Sequence, residues 1–178
     1  LLRNNIPVAG VIYNPVSQEL YCGLKGCNSF KIDIKFGKQS NLKIQNKVKE
    51  LKDCIVMSHL SSKDEPRKIV LGMLDTIIKA SRGIRLLGSG QMALISLAEE
   101  QFDIFFNYET NIWDIIPGAV IINGAGGYCI NNLTNMREWS CRSKGIIAGS
   151  NKSVVTEFAD IIREHLPTDE FPIYTANA

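Results

Sequence analysis

Residues 8–13 form an apolar, β-branched run, Asn14-Pro15-Val16-Ser17 reads as a turn, and residues 19–24 resume an extended pattern, so the chain opens on a hairpin. A second turn at Lys25-Gly26 leads into residues 29–36. There Phe30, Ile32, Ile34 and Phe36 alternate with polar neighbours, which predicts a third strand with one solvated face. Residues 37–52 are lysine-rich with few large apolar groups and read as an exposed connection with a short helix. From residue 53 the pattern changes to alternating strands and helices. A strand over 54–57 precedes a helix over 66–80 with Ile69, Val70, Met73, Leu74, Ile77 and Ile78 on one stripe. A strand over 84–87, a helix over 91–101 that is apolar nearly all round, a strand over 104–106 and a helix over 114–123 follow. Strands over 128–131 and 145–148 lead to an amphipathic helix over 154–166, with Ser150 or Asn151 as its N-cap.

This grammar predicts an α/β (α+β layered) fold. Residues 1–52 are the end of an antiparallel meander sheet and its connection, belonging to an incomplete amino-terminal domain. Residues 53–178 are a carboxyl-terminal α/β domain, a smaller sheet with helices on both faces. In open sheets of that kind ligands gather at the loops leaving strand ends, which directs attention to residues 88–91, 107–114 and 124–127.

Composition narrows the function classes. The 178 residues are 45% apolar and 21% charged, as in a folded domain, and 20 Lys plus Arg against 18 Asp plus Glu leave a net charge of only +2. Bulk charge therefore gives no reason to coat nucleic acid or anionic lipid. No apolar run approaches the roughly 20 residues of a membrane span, and neither a membrane helix nor a signal peptide is expected in the opening residues, which Arg3, two Asn and Pro7 interrupt. A start at Leu1, running at once into a β-like segment, suggests a piece of a longer polypeptide. The five cysteines, Cys22, Cys27, Cys54, Cys129 and Cys141, form no CxxC pair and lie away from His59 and His165. Free thiols of a cytoplasmic protein are expected, not a zinc site.

Three segments could carry chemistry. Trp113-Asp114 opens a helix that continues through Pro117-Gly118-Ala119; the acid reads either as a cap interacting with the helix dipole, worth about 0.3–1 kcal/mol, or as a ligand for a hard cation. Gly88-Ser89-Gly90, between strand and helix, reads either as an anion cradle or as a tight turn needing small residues. Ala125-Gly126-Gly127 fits a helix C-cap followed by a strand.

Taken in order, these segments resemble the carboxyl-terminal half of the inositol monophosphatase family of Mg²⁺-dependent sugar phosphatases. The matching residues are Arg85-Leu86-Leu87-Gly88-Ser89-Gly90, Phe102-Asp103, Asn111-Ile112-Trp113-Asp114-Ile115-Ile116-Pro117-Gly118-Ala119, and Ala125-Gly126-Gly127. The opening Gly10-Val11-Ile12-Tyr13-Asn14-Pro15 and the closing Gly145-Ile146-Ile147-Ala148-Gly149-Ser150-Asn151 support the match. The resemblance implies the sugar-phosphatase fold, a small phosphate monoester as substrate, Mg²⁺ as cofactor, water as nucleophile and a homodimer, with no nucleic acid or membrane partner. It also implies Asp114 as a metal ligand and Gly88, Ser89, Gly90 and Asn107 as substrate-binding positions. An inositol or sugar phosphate is the expected substrate. A 3′(2′),5′-bisphosphate nucleotide is the alternative, because Ser58-His59 resembles a segment of that branch, although by itself His59 reads as an exposed loop residue.

The departures from the family pattern are also informative. Asn107 is neutral where some members have Glu, Gly124 replaces an acid, and Pro117 stands where alanine is common. The upstream glutamate and the Asp-Pro-x-Asp-Gly-Thr loop of the family's first metal site do not occur in these 178 residues. Asp53, Asp64, Glu65 and Asp75, beside the first helix, and Glu99 and Glu100, at the exposed end of the second, read as solvated acids. Trp113 reads as a core anchor, and His165 and Trp139 carry no evident chemistry. One carboxylate cannot enclose Mg²⁺, so this chain alone is expected to be inactive. A non-catalytic remnant or binding module is the rival reading.

Overall fold

A short ribbon of β1 (Leu2–Arg3) against β2 (Ile6–Pro7) leads into a four-stranded antiparallel meander in the computed structural model, which describes residues 1–4, 6–45, 50–131 and 145–166. Its strands β3 (Ala9–Asn14), β4 (Glu19–Leu24), β5 (Phe30–Asp33) and β6 (Lys38–Asn41) are neighbours in chain order. The third strand is shorter than the alternation predicted. The Asp33 carboxylate accepts the Phe36 N–H (3.0 Å) and Gly37 takes a positive φ of 63°, so the chain turns and leaves Ile34 and Phe36 exposed. The fourth strand was not expected. Lys38, Gln39, Ser40 and Asn41 are all exposed, so β6 has no apolar face to betray it and exists through its ladder with β5.

The second sheet contains β7 (Ile55–Ser58), β8 (Gly83–Leu86), β9 (Ile104–Asn107), β10 (Tyr128–Asn131) and β11 (Ile146–Gly149), in the order β10-β11-β9-β7-β8. β8, β7 and β9 are parallel; β11 is antiparallel to β9 and to β10. One face is covered by α1 (Asp64–Ala80) and α4 (Lys152–Ile162), whose Val70, Met73, Ile77, Val154, Phe158 and Ile162 pack with Val56, Ile104, Phe106 and Ile147. Asn151 caps α4 by accepting the Val154 N–H (3.1 Å). Ile78, expected on the α1 stripe, is exposed. The other face is covered by α2 (Gly90–Ala98) and α3 (Ile116–Gly124), with Leu94, Ile95, Ala119 and Ile121 meeting Met57, Phe105, Ile146 and Ala148.

The layers run meander, α2 with α3, mixed sheet, α1 with α4. Helix α3 also packs against β3 and β4, so it lies between two sheets and is apolar almost all round. Its approach to the meander is close. A Cβ on Gly10 would stand 2.2 Å from the Pro117 carbonyl oxygen, and one on Gly23 would stand 2.8 Å from the Ile121 Cα.

A polar tie joins the same layers beside this apolar contact. Lys31 Nζ on β5 donates to Glu99 (2.6 Å) at the end of α2 and to Glu19 (3.0 Å) on β4, while the buried Tyr21 hydroxyl lies 2.9 Å from Glu19 and 3.3 Å from Glu99. The expected solvation of the two acids ending α2 is therefore wrong. The helix stops at Ala98, Glu100 adopts a positive φ of 59°, and its carboxylate accepts the Gln45 N–H (2.8 Å). The hydrogen bond from Lys31 holds the Glu19 carboxyl below its usual value, Glu99 raises the Lys31 ammonium, and burial with Glu19 raises the Tyr21 phenol.

Among the described residues no helix is long and apolar enough to cross a membrane. The four described cysteines are unpaired, and burial pushes the Cys54 thiol up to about 12 and the Cys129 thiol upward. Cys141 and Trp139 lie outside the described residues.

Three measurements check this account. Gly10→Ala forces a methyl into the α3 backbone and is expected to lower unfolding stability by more than about 2 kcal/mol. Gly72→Ala, in the middle of α1 with open space at its Cβ, is expected to raise it by about 0.5–1 kcal/mol. Urea titration of both should give opposite signs. For the tie, Glu19 has a lowered folded-state pKa, so its contribution is complete above the ordinary glutamate range and is lost as the pH falls through the lowered value. Glu19→Gln should then cost about 1 kcal/mol at pH 7 and little in strong acid. Last, Val11, Tyr13, Leu20, Cys22, Phe30 and Ile32 share the outer meander face, where Val11 and Tyr13 are exposed and the others half-buried. The isolated chain is expected to self-associate through this stripe, and light scattering should show Tyr13→Thr with Phe30→Asn reducing it; a compact monomer before substitution would count against it.

Candidate functional site

The parallel strands β7, β8 and β9 end on the same side of the sheet, at Ser58, Leu86 and Asn107. The Leu87 N–H donates to the Ser58 carbonyl (3.0 Å), extending the β8 pairing by one residue before Gly88 and Ser89 turn the chain into α2. Ser89 caps that helix, its hydroxyl accepting the Met92 N–H at 3.3 Å. Neither Gly88 nor Gly90 is demanded by the fold. No atom lies within 4 Å of a Cβ built on Gly88, and neither residue has a positive φ. The nearest atoms to a Cβ on Gly90 are the Asp114 carbonyl oxygen at 3.5 Å and Asn107 Nδ2 at 3.9 Å, both ordinary contacts. A tight turn thus explains neither glycine, whereas together they leave open space beside two polar residues.

Asn107 is buried, only 5% exposed, at the end of β9. Alternation along β9 puts it on the face shared by Phe105 and the α2–α3 layer. Asp114 ends a 3-10 turn (Ile112–Asp114) whose N–H to Asn111 carbonyl bond is 3.0 Å. The N-cap of α3 is Ile115, which makes no side-chain bond, and Pro117 occupies the first helical turn. The Asp114 carboxylate accepts no hydrogen bond among the described residues, so a side-chain cap is not its role, although it lies beside the positive end of α3.

The structure therefore brings Gly90, Asn107 and Asp114 into one cluster, with Ser89 adjacent. It also adds Gln91, which sequence reasoning missed. Its Nε2 donates to the Trp113 carbonyl (2.9 Å), bracing the loop that carries Asp114, while its Oε1 is buried without a partner. The only signal in the sequence was its position directly after Gly-Ser-Gly. His59 is half-buried, not exposed, and its Nδ1 donates to the Leu87 carbonyl (3.2 Å), so the loops after β7 and β8 are held together. Trp113 is no core anchor. It is 68% exposed, because the 3-10 turn directs it outward while Ile115 and Ile116 take the buried positions.

One departure from the family pattern has a packing cause. A Cβ on Gly124 would meet Ser29 Oγ at 2.3 Å and the Cys27 carbonyl at 2.8 Å. No acid fits there, and the position is at the far end of α3 from Asp114. The Pro117 carbonyl is the atom Gly10 packs against.

Metal ligands are few. Among the described residues no group of three or more His, Cys, Asp or Glu side chains gathers. Glu109, in the same loop as Asn107, pairs with Lys63 (3.3 Å), and Asp103 at the opposite end of β9 accepts the Ile55 N–H (2.8 Å). Asp114 is the one carboxylate of the cluster, so the described residues do not by themselves fit a Mg²⁺ cage.

Comparison with known proteins bears on the family and the fold. Residues 1–166 match the inositol monophosphatase family. Inositol monophosphatase 2 of Homo sapiens is 27% identical over 163 residues, covering 89% of this chain and 52% of that protein. The inositol-1-monophosphatase of Mesorhizobium japonicum is 32% identical over 131 residues, covering 72% and 46%. Among solved structures, the extragenic suppressor protein suhB of Bartonella henselae superposes with a TM-score of 0.74 at 25% identity, covering 89% of this chain and 58% of that one. The chain spans about half the length of the curated relatives it matches. With a matched segment reaching from the first residue to the end of the last described helix and the shared layered fold, the chain belongs to the inositol monophosphatase family.

Proposed function

We propose that this chain is the carboxyl-terminal part of a cytoplasmic, dimeric phosphomonoesterase that hydrolyses an inositol or sugar phosphate with Mg²⁺. In this reading residues 1–52 complete a larger amino-terminal domain and residues 53–178 form the second domain. The observation that carries the proposal is the cluster at the strand ends: Asp114 unengaged by a cap, Asn107 buried beside it, and Gly88 and Gly90 small where nothing in the fold requires it. A carboxylate there would give one oxygen to a divalent cation, Asn107 can both donate to and accept from a polyol hydroxyl, and the glycines leave the backbone open to a ring. The family is generally metal-dependent. Among the described residues no further acids gather to surround the cation and orient a water, and these would have to come from elsewhere in the polypeptide. His59 beside the Gly88 loop supports a second substrate reading, a nucleotide 3′(2′),5′-bisphosphate.

The test is phosphate release from inositol 1-phosphate and from 3′-phosphoadenosine 5′-phosphate by the chain extended upstream through any Asp-Pro-x-Asp-Gly-Thr loop its transcript encodes. Release that requires Mg²⁺ and falls at least about 100-fold in Asp114→Asn is expected, this chain alone releasing none. Release indifferent to chelation or to Asp114→Asn would refute the assignment. An upstream stop codon would leave the binding-module reading.

A further inference from the structure

At the opposite end of α3 from Asp114 the structure has a cleft of about 670 Å³ between the β4–β5 turn, the segment after β6 and the last turn of α3. Helix α3 has nine residues, so at about 1.5 Å per residue a helix length of roughly 13 Å runs between the Asp114 turn and the end of α3 that the cleft adjoins. The volume is within the range of about 300–1,000 Å³ usual for small-molecule sites. Its floor is apolar, with Leu42, Ile44 and Val120 all buried residues, while Lys25 and Lys43 stand exposed in its lining.

The charge is one-sided. Among the described residues no Asp or Glu lines the cleft and neither lysine pairs with an acid. Gly124, also in the lining, cannot supply one, since its Cβ would collide with Ser29 and the Cys27 carbonyl. We propose that this cleft binds a small organic anion, its carboxylate or phosphate between Lys25 and Lys43 and its apolar body on Leu42 and Val120. Neither half of that chemistry suffices alone. Two exposed ammonium groups hold a bare anion weakly in water, and an apolar floor of this size does not select charge.

Cys27 lines the cleft and is exposed, so its alkylation reports on the cleft. The experiment measures alkylation of each cysteine by iodoacetamide, located by peptide fragmentation, in the presence of benzoate, benzamide or inorganic phosphate. Benzoate is expected to slow Cys27 at least about threefold and to leave the alkylation of free glutathione in the same solution unchanged. Benzamide, which has the shape without the charge, and phosphate, which has the charge without the apolar body, should leave Cys27 alkylation unchanged. Lys25→Gln with Lys43→Gln should abolish the protection; both side chains are exposed, and an unchanged urea midpoint verifies the fold. Equal protection by benzamide or by phosphate, protection that survives the double substitution, or no protection by benzoate would each overturn the proposal.

Discussion

Helix α3 is the constraint on which the rest of the structure depends. A helix of nine residues that meets a sheet on each side has almost no solvated face, so its sequence is apolar except at the exposed Asn123 in its last turn, and its neighbours must come close to its backbone. Gly10 and Gly23 allow that approach from the meander, and Gly118 allows it from Leu94 on α2. Because packed interiors leave no slack of even a methyl group, the position of α3 is fixed, and with it the Asp114 turn at one end and the floor of the lysine-rimmed cleft at the other. The Lys31 tie adds direction to this packing. Hydrophobic contact alone would let α2 slide along the sheet, whereas Glu99 meets Lys31 and the Tyr21 hydroxyl in one arrangement only.

How much of this was legible in the sequence follows from where the signal resided. Strands with one buried face and helices with an apolar stripe were readable to within a few residues, since burial repeats at period 2 or 3.6. β6 was not, because all four of its side chains face water and only its backbone is engaged. The end of the third strand was missed for the opposite reason. Ile34 and Phe36 continued the alternation while Asp33 and Gly37 were already turning the chain, and local hydrogen bonding outweighed a pattern with no core to meet. Glu99 illustrates a third limit. Its partner Lys31 lies 68 positions away in sequence, and nothing local announces a long-range ion pair.

The candidate site was legible as a set of loops but not as a geometry. Strand order supplied the side of the sheet to examine, and that Gly90, Asn107 and Asp114 meet is a consequence of β7, β8 and β9 being parallel neighbours. Reading Trp113 as a core residue followed its size; the 3-10 turn reversed it by giving the inward positions to two isoleucines. Gly124 looked like a lost acid when judged by family pattern, and the contact with Ser29 shows instead a place where a side chain has no room.

The position of β11 bears on how the molecule is made. This strand is inserted between β9 and β10, so the mixed sheet cannot close until residues 146–149 have left the ribosome, although β10 itself precedes them. The meander, built from chain neighbours, needs no such wait. During synthesis α3 and β9 therefore emerge as apolar segments with one intended neighbour still untranslated, an interval in which native packing does not yet shield them from aggregation.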